Sequence, residues 1–212
     1  MADEQNYALA DGSVWSFSSW AAPSQSKQKE TLERAFKGFA QKPFKWITDS
    51  DKIKKVILSD TDGSDFTLKF AMRSVSGGGR PGAKPNELRV QTDPETINNL
   101  FAINAQGGTG LIIGVYCIEG SSALVLWRPL DGSTGSGSSS KQVDAYVVAR
   151  AMSDGISSYV YPDGEVVYAI MPELFRSYIN CLMPNAKQKP SPEYIESQEI
   201  SMPHNMLYFG AP

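Results

Sequence analysis

An apolar hairpin in the middle of the chain most constrains how it can fold. Residues 111–118 (LIIGVYCI) form a strongly apolar run. Gly120-Ser121-Ser122 supply a turn, and residues 123–127 (ALVLW) supply a partner strand. Short apolar runs bounded by turn residues read as strands. Upstream, residues 54–59 (KKVILS) meet an Asp/Gly/Ser turn. Then Phe66, Leu68, Phe70 and Met72 alternate with Thr67, Lys69 and Ala71, a half-buried hairpin pattern. Residues 88–91 and 165–170 read as further strands. Helices are expected over 27–41, 94–102, 144–153 and 173–182. The first has Ser26 as N-cap and Leu32, Ala35, Phe36 and Phe39 on one face. Residues 74–86 hold too much Gly and Pro for a strand or helix interior, and 131–140 read as a Gly/Ser/Thr loop. Trp15, Phe17 and Trp20 punctuate an N-terminal lead without a clear period.

The 212 residues suffice for one sizeable domain, and 41% hydrophobic against 20% charged residues is an ordinary globular balance. A net charge of −3 excludes a global basic signature, so a nucleic acid would need a local patch. No run approaches the roughly 18 apolar residues of a membrane span. The start, Met-Ala-Asp-Glu-Gln, lacks a signal-peptide pattern. A soluble, cytoplasmic protein without membrane contact is expected. Cys117 and Cys181 are expected as buried, reduced thiols. His204 has no second histidine and no nearby cysteine, which argues against a zinc site and against a Ser-His-Asp triad.

The chain divides into a lead (1–26), a folded domain (27–183) and a proline-rich linker (184–203). A terminal segment (204–212, HNMLYFGAP) follows. That segment resembles the first strand of an AAA+ core entering a phosphate-binding loop, G-x-P-G-T-G-K-[ST]. The sequence stops at Gly210-Ala211-Pro212, so nucleotide hydrolysis by that route is not expected of this chain.

A second resemblance covers residues 77–180. It comprises Gly79-Arg80-Pro81, Glu87-Leu88-Arg89-Val90-Gln91, Leu111-Ile112-Ile113-Gly114 and Leu124-Val125-Leu126-Trp127. It continues with Ser138-Ser139-Ser140-Lys141-Gln142-Val143, Val166-Val167-Tyr168-Ala169-Ile170 with Pro172, and Tyr178-Ile179. In this order they resemble the N-terminal DNA-recognition region of McrB-like and LlaJI-type AAA+ restriction NTPases. That region is similar to the pseudobarrel effector domains of the EcoRII and BfiI endonucleases. The resemblance implies an α+β, mostly β fold: an open seven-stranded DNA-binding pseudobarrel with short flanking helices. It implies sequence- or modification-specific recognition of double-stranded DNA in restriction and antiphage defence. For the parent protein it implies GTP, magnesium and a separate nuclease subunit. No cofactor, metal or catalytic residue is expected in this chain. Where the family often has a histidine, the sequence reads Arg128-Pro129-Leu130-Asp131, so that residue's role is not carried over.

Lys69, Arg73, Arg80, Lys84 and Arg89 form a local excess of positive charge opposed by Glu87, as phosphate binding requires. Arg80 and Lys84 sit on the Gly/Pro loop. Arg89 and Gln91 share a strand face at spacing two, and these side chains suit guanine and adenine in the major groove. A second candidate surface is Trp127-Arg128 with Ser138, Ser140, Lys141 and Gln142, although Trp127 itself reads as core. Two other readings stay open. One is a degenerate metal-dependent nuclease, with Asp62 or Asp65 and Glu87-Leu88-Arg89, where Arg replaces the usual lysine. The other is a protein-interaction module of a defence complex.

Overall fold

The computed structural model describes residues 5–17, 20–39, 43–48, 52–60, 63–78, 84–132, 139–161 and 164–182. The expected linker, the terminal segment 204–212, Asp62, Arg80 and Ser138 lie outside them. In chain order the strands begin with β1 (Gln5–Ala8), β2 (Val14–Phe17), β3 (Lys45–Thr48), β4 (Lys54–Ser59), β5 (Asp65–Gly77) and β6 (Glu87–Thr92). They continue with β7 (Thr109–Ile118), β8 (Ser121–Trp127), β9 (Ser139–Asp144), β10 (Ile156–Val160) and β11 (Val166–Ile170). The helices are α1 (Gln25–Lys37), α2 (Pro94–Ala105) and α3 (Ala145–Asp154), with an irregular helical segment over 172–182.

The apolar hairpin is the centre of the fold. β7 pairs antiparallel with β8, and on its other edge runs parallel to β5, with Phe70 opposite Leu111. A parallel pair needs a crossover, which β6 and α2 provide. Asp93 caps α2 by accepting from the Thr96 N–H at 2.9 Å, and Pro94 sits in the first turn. The sheet runs β10-β11-β8-β7-β5-β4-β3, with β6 added on β5 and β9 on β6.

Both faces of β7 are covered, which explains its unbroken apolar run. Leu111, Ile113 and Val115 meet Leu32 and Phe36 of α1 and Phe175 and Tyr178 of the C-terminal segment. On the other face, Ile112, Tyr116, Val125 and Trp127 meet Leu88 and Val90 of β6, Val143 of β9 and Val148 and Ala149 of α3. The layers close tightly at Gly114. A Cβ there would lie 2.4 Å from Val90 Cγ2 and 2.9 Å from Val75 Cγ2. The end of β5, with β6 and β9, thus folds over the β7–β8 hairpin.

The result is α+β, mostly β, with sheets not closed into a barrel, as expected. Nine strands join the main sheet, where the resemblance implied seven. The N-terminal lead also enters the core. β1 pairs β2, Tyr7 and Ala8 are buried, and the Tyr116 hydroxyl donates to the Ala8 carbonyl at 2.9 Å. Trp20 donates to the Cys117 carbonyl at 3.1 Å and stacks on Tyr116. Helix α1 starts earlier than expected, because Ser24 rather than Ser26 accepts from the Lys27 N–H. The cysteines differ in part from expectation: among the described residues neither forms a disulfide, but Cys181 is exposed and Cys117 is half-buried.

Candidate nucleic-acid interface

Strand β6 alternates. Leu88, Val90 and Thr92 are buried, whereas Arg89 is partly exposed and Gln91 exposed; Glu87, on their face, is buried at the start of the strand. This puts Arg89 and Gln91 on one outward face, as their spacing predicts. Strand β9 pairs antiparallel with β6, with Glu87 opposite Asp144, Arg89 opposite Gln142 and Gln91 opposite Ser140. Directly opposed residues share a face, with Cβ atoms about 5 Å apart. Part of each sequence-predicted surface, Arg89 and Gln91 of one and Ser140 and Gln142 of the other, therefore meets on one polar ladder, to which β5 adds Ser76 opposite Arg89. The Nε of Arg89 is buried and has no hydrogen-bond partner among the described residues.

Other candidates lie elsewhere. Lys141 projects to the opposite side of β9 and pairs with Glu165. Lys84 is held 3.3 Å from the Glu87 carboxylate. Arg73 lies off the ladder, donating to the Met72 carbonyl at 2.9 Å and standing 3.9 Å from Asp93. Burial opposes the charge on Asp93. Hydrogen bonds from the Thr96 N–H and hydroxyl, with Lys52 and Arg73 nearby, outweigh it and hold the carboxyl below its ordinary range. Arg128 is a correction. At 6% exposure it is a buried residue beside Tyr178, and desolvation pushes its pKa down. It offers no surface to a phosphate. Trp127 is fully buried, as expected of core.

The structure does not bring Asp65 and Glu87 together; Asp62, the other acid of that reading, lies outside the described residues. Asp65 opens β5 and bonds Ser59, whereas Glu87 lies beyond the far end of that strand, where Gly77 opposes Leu88. The two ends are twelve steps apart along β5, one paired with β4 and the other with β6. Among the described residues there is no group of three or more His, Cys, Asp or Glu side chains placed to hold a metal.

One feature of the site went unread in the sequence. Beside the ladder opens a cleft of about 690 Å3, lined by the Lys84–Glu87 ion pair, by Asp144 and by Tyr146, Tyr159 and Tyr161. Tyr159 and Tyr161 meet edge to face, with ring centroids 5.1 Å apart, and the Tyr161 hydroxyl donates to the Gln142 carbonyl. The available signal was a pair of tyrosines at spacing two before a Pro-Asp-Gly turn.

The profile of the methylase-associated X1 (MTaX1) family matches residues 66–179, more than half of the chain. The chain belongs to that family. MTaX1 domains are linked to restriction-modification systems. The matched span runs from β5 into the C-terminal helical segment and contains both the polar ladder and the cleft. No curated protein and no solved structure matches the chain. Among the described residues, no helix is long and apolar enough to cross a membrane.

Proposed function

We propose that this MTaX1 domain reads double-stranded DNA with the outward face of β6 and β9. The observation that carries the reading is the register, which sets Arg89 beside Gln142 and Gln91 beside Ser140 on one exposed ladder. Such side chains discriminate base edges. The family's link to restriction-modification supports a target-reading role. Both lysines near the ladder are paired with carboxylates. Binding therefore leans on few phosphate contacts, and two or three of them give a log–log salt slope of about −2 to −3.

The finer proposal is a parent of the McrB-like or LlaJI type, in which this domain delivers its site to a GTP- and magnesium-dependent AAA+ motor served by a separate nuclease subunit. The sequence resemblance supports it. In that arrangement the domain itself cuts nothing.

The test is fluorescence anisotropy of the chain with pooled duplexes, unmodified and cytosine- or adenine-methylated, across several salt concentrations. Arg89→Ala is expected to weaken binding roughly 5- to 150-fold, the equivalent of about 1–3 kcal/mol for a base contact. No affinity for any duplex at low salt would refute the reading and favour a protein partner.

A further inference from the structure

We propose that the outward face of β3, β4 and the first half of β5 is a phosphate-binding platform. On it, Lys45, Lys55 and Lys69 hold the backbone of the duplex read by the β6–β9 ladder. This rests on the DNA-reading proposal above. The register brings the three lysines together. One rung runs Ile47, Lys55, Lys69, and the next runs Lys45, Ile57, Thr67. Opposed residues share a face, so all three ammonium groups project from one side of the sheet. Every residue of the two rungs is exposed or partly exposed. The other side of the same strands, with Val56, Leu58, Leu68 and Phe70, is buried in the cluster that holds α1.

The fold leaves this patch unneutralised. None of the three lysines forms an ion pair with a described residue. Lys55 and Lys69 stand directly opposite each other, with Cβ atoms about 5 Å apart, and like charges so placed are destabilising. Protection of a free edge would account for Lys45 on β3. It does not account for Lys55 and Lys69, because β4 and β5 are each paired on both sides. Among the described residues of these strands, Asp65 is the one acid on this face, and it is bonded to Ser59 at the far end of the β4–β5 pair. On the other flank, Lys52 and Arg73 are matched by Asp93 and Glu95 and add no net charge. A row of phosphates would relieve the Lys55–Lys69 repulsion, whereas an apolar partner would worsen it.

The platform and the ladder lie on the same side of the sheet. Lys69 shares its side of β5 with Ala71, which packs in one cluster with Leu88 and Val90 from the inner side of β6. The ladder therefore covers the lysine side, with Arg89 turned outward. Strand β5 joins the two surfaces, since Ser76, opposite Arg89, is seven positions beyond Lys69. That is at most about 25 Å of chain, and one turn of duplex, about 34 Å long, covers it. The ladder needs this supplement, because the lysines beside it, Lys84 and Lys141, are held by Glu87 and Glu165.

The test is the salt dependence of duplex binding by the full 212-residue chain, read by fluorescence anisotropy with pooled duplexes. Three phosphate contacts give a log–log slope of about −2.7, at about −0.9 for each phosphate. Lys45→Gln, Lys55→Gln and Lys69→Gln should each remove about 0.9 of that slope, and the triple variant should bring it close to zero. Any preference among duplexes, which belongs to Arg89 and Gln91, should persist. A comparison variant carries Lys27→Gln, Lys29→Gln and Lys37→Gln on α1, across the sheet from the platform. It changes the net charge equally and should keep the slope of the unaltered chain. Circular dichroism confirms that each variant is folded. An unchanged slope in the platform triple variant, or an equal loss in the α1 variant, would overturn the platform and leave the ladder reading intact. Failure of the unaltered chain to bind any duplex would overturn both.

Discussion

Gly114→Ala tests whether the two layers of the sheet meet as described. The added methyl would sit 2.4 Å from one valine methyl and 2.9 Å from another, and both Val90 and Val75 are fully buried. Ordinary carbon contacts are about 3.5–4.0 Å, so each valine must retreat by roughly 1 Å. Neither can swing aside cheaply, because β-branched side chains are stiff at χ1. Overpacking of this kind costs about 1–3 kcal/mol. Reduced freedom of the unfolded chain returns about 0.4–1 kcal/mol. A net loss of about 1–2 kcal/mol should lower Tm by roughly 2–8 °C in a domain of this size. Urea denaturation should show a lower midpoint at an unchanged slope. The partner experiment is Val90→Ala. Alone it opens a cavity and destabilises, but in the double variant the methyl introduced by Gly114→Ala occupies part of the vacated space. The double variant should therefore be more stable than the sum of the single losses by about 1 kcal/mol or more. An unchanged midpoint for Gly114→Ala, or strict additivity in the double variant, would refute the packing argument.

Three further outcomes are expected. Tyr116→Phe removes the buried hydrogen bond to the Ala8 carbonyl and should cost about 1 kcal/mol, read as a Tm shift. Trp20→Ala strips a ring packed against Tyr7 and Tyr116; it should destabilise the whole domain by about 3 kcal/mol in urea titrations, not merely free the N-terminal hairpin. Asp93 is held below its ordinary pKa, so its stabilising effect is complete above the unfolded carboxyl value and fades as pH falls through the folded one. Thermal unfolding should show stability dropping below about pH 4, and Asp93→Asn should flatten that dependence.

The elements legible in the sequence are those that carry their own pattern. β7 and β8 are apolar throughout, β4 and the first half of β5 alternate, and α2 and α3 have capping aspartates at their starts. β9 and β10 went unread because most of their residues are partly exposed, which leaves neither face purely apolar. Their strand character comes from partners, Glu87–Thr92 for β9 and Val166–Ile170 for β10. The same limit divided the site. Arg89 and Gln91 were legible as a pair because spacing two is local to one strand. That Gln142 and Ser140 complete their ladder was not, because the pairing of β6 with β9 belongs to the tertiary fold. Arg128 was misplaced for a related reason. A charged residue following an apolar strand reads as surface, whereas in the fold Arg128 is buried and interacts with Tyr178.

Strand β5 gives the fold an order of assembly. Its first residues pair with β4, its middle with β7 and its last three with β6. The parallel pairing of Phe70 with Leu111 closes a segment of roughly forty residues, an entropic cost that must be met before its contacts reward it. Until that closure occurs, the Val75–Gly77 end has no hairpin to fold over, and the β6–β9 ladder has no base. The β6–β9 ladder is thus expected to form late and to be thermodynamically bound to the centre. Amide hydrogens of β6 should exchange only in the same rare openings that release β7, and not in a separate, easier fluctuation.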